Sequence, residues 1–222
     1  MSRRTGSRMP SLALHPEEQY ADLVQQGDTA QLGMWVFLAT ETLFFGALIF
    51  TYYIYRISYP AEVAQAAKDA VLWCGSVNLG LLLTSSLTMV LAIDAAADGQ
   101  RRALRKWLLA TAALGIVFIC IKGFEWYLDY SNQEVPSVNF IMKPDEAPVG
   151  ELFWVFYFIA TGLHALHLTI GIALIFYMLS RVRRGDLTPS YYAPLEVVGL
   201  YWSFVDTVWI FLYPTIYLVG RS

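Results

Sequence analysis

Hydrophobic positions along the chain gather into five long runs, at roughly residues 32–55, 71–93, 107–128, 152–180 and 195–219, with short polar segments between them. Each run is near or above the ~20 residues that a helix rising about 1.5 Å per residue needs to cross a bilayer. The pattern predicts an all-α fold, a polytopic membrane helix bundle with five transmembrane helices. Residues 1–31 read as a polar tail and 32–219 as a single transmembrane domain. The tail carries Arg3, Arg4 and Arg8, followed by P-E-E-Q-Y-A-D-L-V-Q-Q, a candidate short surface helix. The connections are a short loop with Pro60 and Lys68, an A-A-A-D-G-Q-R-R turn, an acidic Pro-containing loop over 129–150, and R-V-R-R-G-D-L-T-P. None is long enough to hold a second domain.

Basic residues orient the bundle, because cytoplasmic loops retain Lys and Arg. The tail, the second loop (Arg101, Arg102, Arg105, Lys106) and the fourth loop (Arg181, Arg183, Arg184) are basic, whereas the first and third offer only Lys68 and Lys143. The alternation places the N-terminus in the cytoplasm and the C-terminus on the periplasmic side. Trp35 and Trp107 fall at inner helix ends and Trp73, Trp126 and Trp154 at outer ends, as interfacial tryptophans do. Trp202 and Trp209 sit deeper, as packing residues.

Composition agrees with this frame. Of 222 residues, 57% are hydrophobic and 15% charged, and the mean hydropathy is +0.48. A formal net charge of −3, with basic residues in short clusters beside apolar runs, gives no case for nucleic acid. Cys74 and Cys120 lie inside the spans and are read as neither a disulfide nor a metal site.

The exceptions to the apolar pattern are the candidate chemistry. Glu41 lies roughly 14 Å from the inner end of the first run, near the middle of a ~30 Å hydrocarbon layer. There a carboxylate must be protonated, partnered or turned to water inside a complex. The second run offers Ser76, Asn78, Thr84, Ser85, Ser86 and Thr88 with Gly75 and Gly80, a set suited to close helix contact. Lys122 and Glu125, three apart, share a face and can pair. His164 and His167 share a face of the fourth run. Two histidines at that spacing are better explained as a satisfied buried pair than as a metal site, because no third ligand lies on that helix. Asp206 lies roughly 16 Å and His167 roughly 20 Å from the inner ends of their helices. That match predicts an Asp206 to His167 hydrogen bond and leaves Glu41 without a charged mate in this chain. Thr40, Thr42, water or a neighbouring subunit are then its candidate partners.

Four segments carry a resemblance. L-G-M-W-V-F-L-A-T-E-T-L-F-F-G, G-F-E-W-Y, A-T-G-L-H-A-L-H-L-T-I-G and Y-W-S-F-V-D-T-V-W-I-F-L-Y resemble, in order and spacing, the signature segments of subunit III of the haem-copper respiratory oxidases. The chain is similar to the five-helix bacterial type, without the two N-terminal helices of the seven-helix form. The resemblance implies that Glu41 is the family's buried carboxylate, associated with sustaining proton uptake by the catalytic subunit. It equates Glu125, His164, His167, Glu196 and Asp206 with the family's motif polar residues, and Arg181 with an arginine that binds lipid headgroups. Ser203 stands where the family usually has histidine. The family's phospholipid cleft lies between its first two helices and the other five, so here another subunit would supply one wall.

The function so implied is that of a redox-inactive subunit of a proton-pumping terminal oxidase that reduces oxygen to water. Such a chain stabilises the catalytic subunit, binds lipid and supports proton uptake in the bacterial cytoplasmic (inner) membrane. It has no catalytic residue and binds no metal itself, haem and copper being expected in partner subunits, with phospholipid as its ligand. Its partners would be catalytic subunit I, the other oxidase subunits and membrane lipids. Two other readings are an accessory subunit of a nitric oxide reductase and an independent transporter relaying protons through Glu41, His167 and Asp206. Five helices without an internal repeat or a broken helix speak against the second.

Overall fold

The computed structural model describes residues 22–138, 149–189 and 191–218. Among these residues six α-helices follow one another: α1 (Leu23–Ser58), α2 (Pro60–Asp69), α3 (Leu72–Ala97), α4 (Arg101–Ser131), α5 (Val149–Arg184) and α6 (Ala193–Tyr213). Five of them are long and apolar enough to cross a membrane, the exception being α2. No named strand occurs among the described residues; an isolated bridge joins Thr188 and Tyr191.

Local chemistry sets the helix ends. Asp22 caps α1, its carboxylate accepting the Gln25 N–H at 2.7 Å. The candidate surface helix of the tail falls partly outside the described residues, and its last residues already belong to α1. Pro60 starts α2 at a position where its missing N–H costs nothing, turning the loop expected around Pro60 and Lys68 into helix. Gly99 closes α3 at φ +72, and the Gln100 N–H reaches back to the Ala95 carbonyl at 2.8 Å. That is the left-handed closure for which glycine is favoured. α4 continues to Ser131, so Asp129, expected at the start of a loop, is a helical residue. Pro214, which cannot donate a backbone hydrogen bond, converts the end of the last run into a π-helical turn, Pro214–Leu218.

α3 and α4 form the most extensive helix pair, and α6 packs against α1, α3 and α5. The core is aromatic: Trp154, Trp202, Trp209, Tyr157, Tyr217 and Phe118 are all fully buried. Trp202 and Trp209 are packing residues, as their depth predicts. Trp35 and Trp73 are well exposed, whereas Trp154, expected at the interface, is 1% exposed against Phe153, Tyr157 and Phe158. The small polar residues of α3 serve helix contact. Thr88 Oγ1 lies 2.8 Å from Thr111 Oγ1, Trp202 Nε1 donates to Ser85 Oγ at 3.1 Å, and Ser76 Oγ meets Tyr213 OH at 2.8 Å.

Candidate functional site

Two constellations of polar groups within the bundle stand out. The first joins α1 to α5: His167 Nε2 lies 3.2 Å from Glu41 Oε2. The partner of Glu41 is therefore within this chain, and the expected Asp206 to His167 hydrogen bond does not form. Helix length is the reason for the difference. α1 begins at Leu23 and α5 ends at Arg184, each beyond its apolar run. Measured from those ends, Glu41 lies about 27 Å along α1 and His167 about 26 Å along α5, while Asp206 lies about 20 Å along α6. The depth match belongs to Glu41 and His167.

Proton positions follow from the acceptors. His167 Nδ1 lies 2.8 Å from the Leu163 carbonyl, which can only accept, so Nδ1 donates. The other ring nitrogen faces a carboxyl oxygen, and two lone pairs at 3.2 Å repel unless one of the groups carries a proton. A hydrogen bond between them requires one further proton, and with it the pair is neutral overall wherever that proton sits. This removes the cost of a net charge inside the bundle. Tyr201 fixes the local backbone by donating to the His167 carbonyl at 2.9 Å, and Phe45 packs edge-on against the imidazole. Both members are partly open, His167 at 13% and Glu41 at 20% side-chain exposure. Thr40 and Thr42, candidate partners from the sequence, instead donate to the carbonyls of Phe37 and Leu38.

The second constellation lies where α4 ends and α5 begins. Lys122 pairs with Glu125 at 3.1 Å, as their spacing predicts, and is 1% exposed. Its ammonium also donates to Tyr157 OH at 3.0 Å and Tyr217 OH at 2.8 Å. Tyr217 OH donates to Glu125 Oε1 at 2.7 Å, and Tyr157 OH lies 2.8 Å from Asp129 Oδ2. A Cβ at Gly75 would stand 2.7 Å from the Tyr217 ring, so glycine is what lets that phenol enter. Asp129 is one heptad from Lys122 and four residues from Glu125, a signal readable in the sequence once α4 is carried past residue 128. Tyr157 and Tyr217 had no such signal.

The remaining predicted residues are dispersed. His164 shares a helix with His167 but points into the bundle, between Phe118 and Trp209, and neither ring nitrogen has a hydrogen-bond partner among the described residues. The two histidines are thus not a satisfied pair. Asp206 is buried facing Ser85 and Ser86 of α3, with no hydrogen bond to a described residue. Glu196 accepts from Gln31 Nε2 at 2.9 Å, tying α6 to α1. Arg181, in the last turn of α5, lies 3.8 Å from Asp186. Among the described residues no three His, Cys, Asp or Glu side chains group as metal ligands. An apolar cleft of about 210 Å³ opens between α1 and α5 over α2, lined by Leu48, Tyr52, Tyr55, Val63, Phe156 and Ile159 among others.

Residues 17–221 match the family described as Cytochrome c oxidase subunit III. The chain is 31% identical over 219 residues to cytochrome c oxidase subunit 3 of Alkalihalophilus pseudofirmus, covering 97% of this chain and 96% of that protein. It is 31% identical over 193 residues to the protein of the same name from Synechocystis sp., covering 86% of this chain and 76% of that one. It is also 29% identical over 198 residues to the probable quinol oxidase subunit 3 of Staphylococcus aureus, covering 88% and 91%.

Proposed function

Because the chain belongs to the cytochrome c oxidase subunit III family, and is thus a multi-pass subunit of a terminal oxidase complex, we propose that it supports the catalytic subunit without carrying a redox centre. Haem and copper sit in partner subunits, and the complex resides in the bacterial cytoplasmic membrane with catalytic subunit I as the neighbour served. Three tasks make up the support: stabilising that subunit, holding phospholipid, and sustaining proton uptake.

The contact between Glu41 and His167 carries the proton reading. One proton shared between two neutralised groups can be held inside the bundle at low electrostatic cost. The partial exposure of both groups leaves them in reach of water or of a neighbouring subunit. His167 sets the orientation of the carboxyl and offers the alternative site for its proton, while the Leu163 carbonyl keeps the imidazole in one tautomer. Lipid holding is supported by the apolar cleft between α1 and α5 and by Arg181 in the basic last turn of α5, suited to an acyl chain and an anionic headgroup respectively.

Replacing Glu41 with Gln in the assembled oxidase tests the proton reading. The variant complex should assemble and turn over at first, then lose activity in fewer turnovers than the unmutated enzyme. An unaltered decay would remove the proton role and leave the lipid and stabilising roles standing.

A further inference from the structure

The cluster around Lys122 has a proton count that does not close on one arrangement. Lys122 spends its three N–H groups on Glu125 Oε2, Tyr157 OH and Tyr217 OH. Tyr217 spends its single proton on Glu125 Oε1. Tyr157 also has one proton, yet its oxygen lies 3.0 Å from Glu125 Oε1 and 2.8 Å from Asp129 Oδ2. With both carboxyls ionised it can serve only one of them. Two carboxylates then share one ammonium in a site where Lys122, Glu125 and Asp129 are each at most 1% exposed. A net negative charge enclosed in that way is costly unless a further cation joins it.

We propose that Asp129 is a proton-binding site of this subunit, separate from Glu41, with Tyr157 as a reversible link to Glu125. With Asp129 ionised, Tyr157 donates to Asp129 Oδ2. When Asp129 takes up one proton from water, its new O–H donates to the Tyr157 oxygen, and the phenol turns its own proton to Glu125 Oε1. Both states use contacts already within hydrogen-bond distance, no covalent bond other than the O–H of Asp129 is made, and the charges of Lys122, Glu125 and Asp129 then sum to zero. The groups facing Asp129 are Lys122 and Glu125 on α4, Tyr157 on α5, Tyr217 on the π-helical turn, Cys74 on α3 and Glu134 after α4. Lys122 is the cation among these described residues, and it has no N–H left for Asp129.

Infrared difference spectra of the intact oxidase complex between neutral and acidic pH test this. The proposal expects a carboxylic-acid C=O band to appear on acidification together with a change in a tyrosine C–O band. Asp129→Asn should lose one carboxyl equivalent of that signal. Tyr157→Phe should keep the carboxyl signal and lose the tyrosine change. Acid-induced bands that are the same in Asp129→Asn, or a tyrosine change that survives in Tyr157→Phe, would overturn it. If the Asn variant does not assemble, Tyr157→Phe carries the test: the acid-induced tyrosine change must vanish in it, and a tyrosine change that survives counts against the proposal.

Discussion

The pair at Glu41 and the cluster at Lys122 solve one problem, ionisable groups inside an apolar bundle, by opposite means. Glu41 and His167 are two groups on helices distant in sequence, partly open, and placed so that one shared proton would neutralise both. Lys122, Glu125, Asp129, Tyr157 and Tyr217 are enclosed and joined by many short contacts, with one proton too few for all of them at once when both carboxyls are ionised. Their helices differ in the same sense. In the most apolar stretch of α1, which carries Glu41, only 11% of residues are buried within this chain, whereas in that of α4, which carries Lys122, Glu125 and Asp129, the share is 33%. The enclosed cluster ties α4, α5 and the turn after α6 to one another, whereas the pair is open enough for water or a neighbouring subunit to reach it.

Substitutions that strand charge in the cluster should therefore cost most. Lys122→Met leaves two carboxylates without a cation and should destabilise the subunit by about 3–5 kcal/mol, read as a lower thermal midpoint and poor recovery of the complex. Gly75→Ala pushes a methyl into the Tyr217 ring, which its hydrogen bonds hold in place. A loss of about 1–3 kcal/mol is expected, less if the ring can give way. His167→Leu removes one partner of a partly exposed pair and should cost only about 1 kcal/mol, with assembly retained. Arg181→Ala should change stability by less than about 1 kcal/mol, yet reduce the phospholipid that co-purifies, measured by mass spectrometry. A His167 variant that fell apart as Lys122→Met does would erase the contrast between the two sites.

How much of this was readable in the sequence depended on where partners lie along the chain. Five apolar runs gave five spanning helices, and Lys122 with Glu125 gave an ion pair, because spacing within one helix fixes which side chains meet. The pairing of Glu41 with His167 is not legible from the apolar runs, because the ends of those runs are not the ends of the helices. The helices extend past those ends through mostly polar residues, by nine residues at α1 and four at α5, which shifts each depth by several ångströms. Tyr157 and Tyr217 were invisible as site residues, since a tyrosine in an apolar run looks the same whether it meets lipid or a buried ammonium. Pro214 marked where the last helix would change character, but not that the turn beyond it would carry Tyr217 over Gly75.

A double-mutant cycle on the open pair probes the central claim most directly. Glu41→Gln, His167→Gln and the double variant are each assembled into the oxidase, and the number of turnovers completed before activity decays is counted. If the two side chains act as one proton-holding unit, the double variant fails no sooner than the worse single variant. Independent, multiplying losses in the double variant, or a His167→Gln enzyme that lasts as long as the unmutated one, would contradict it.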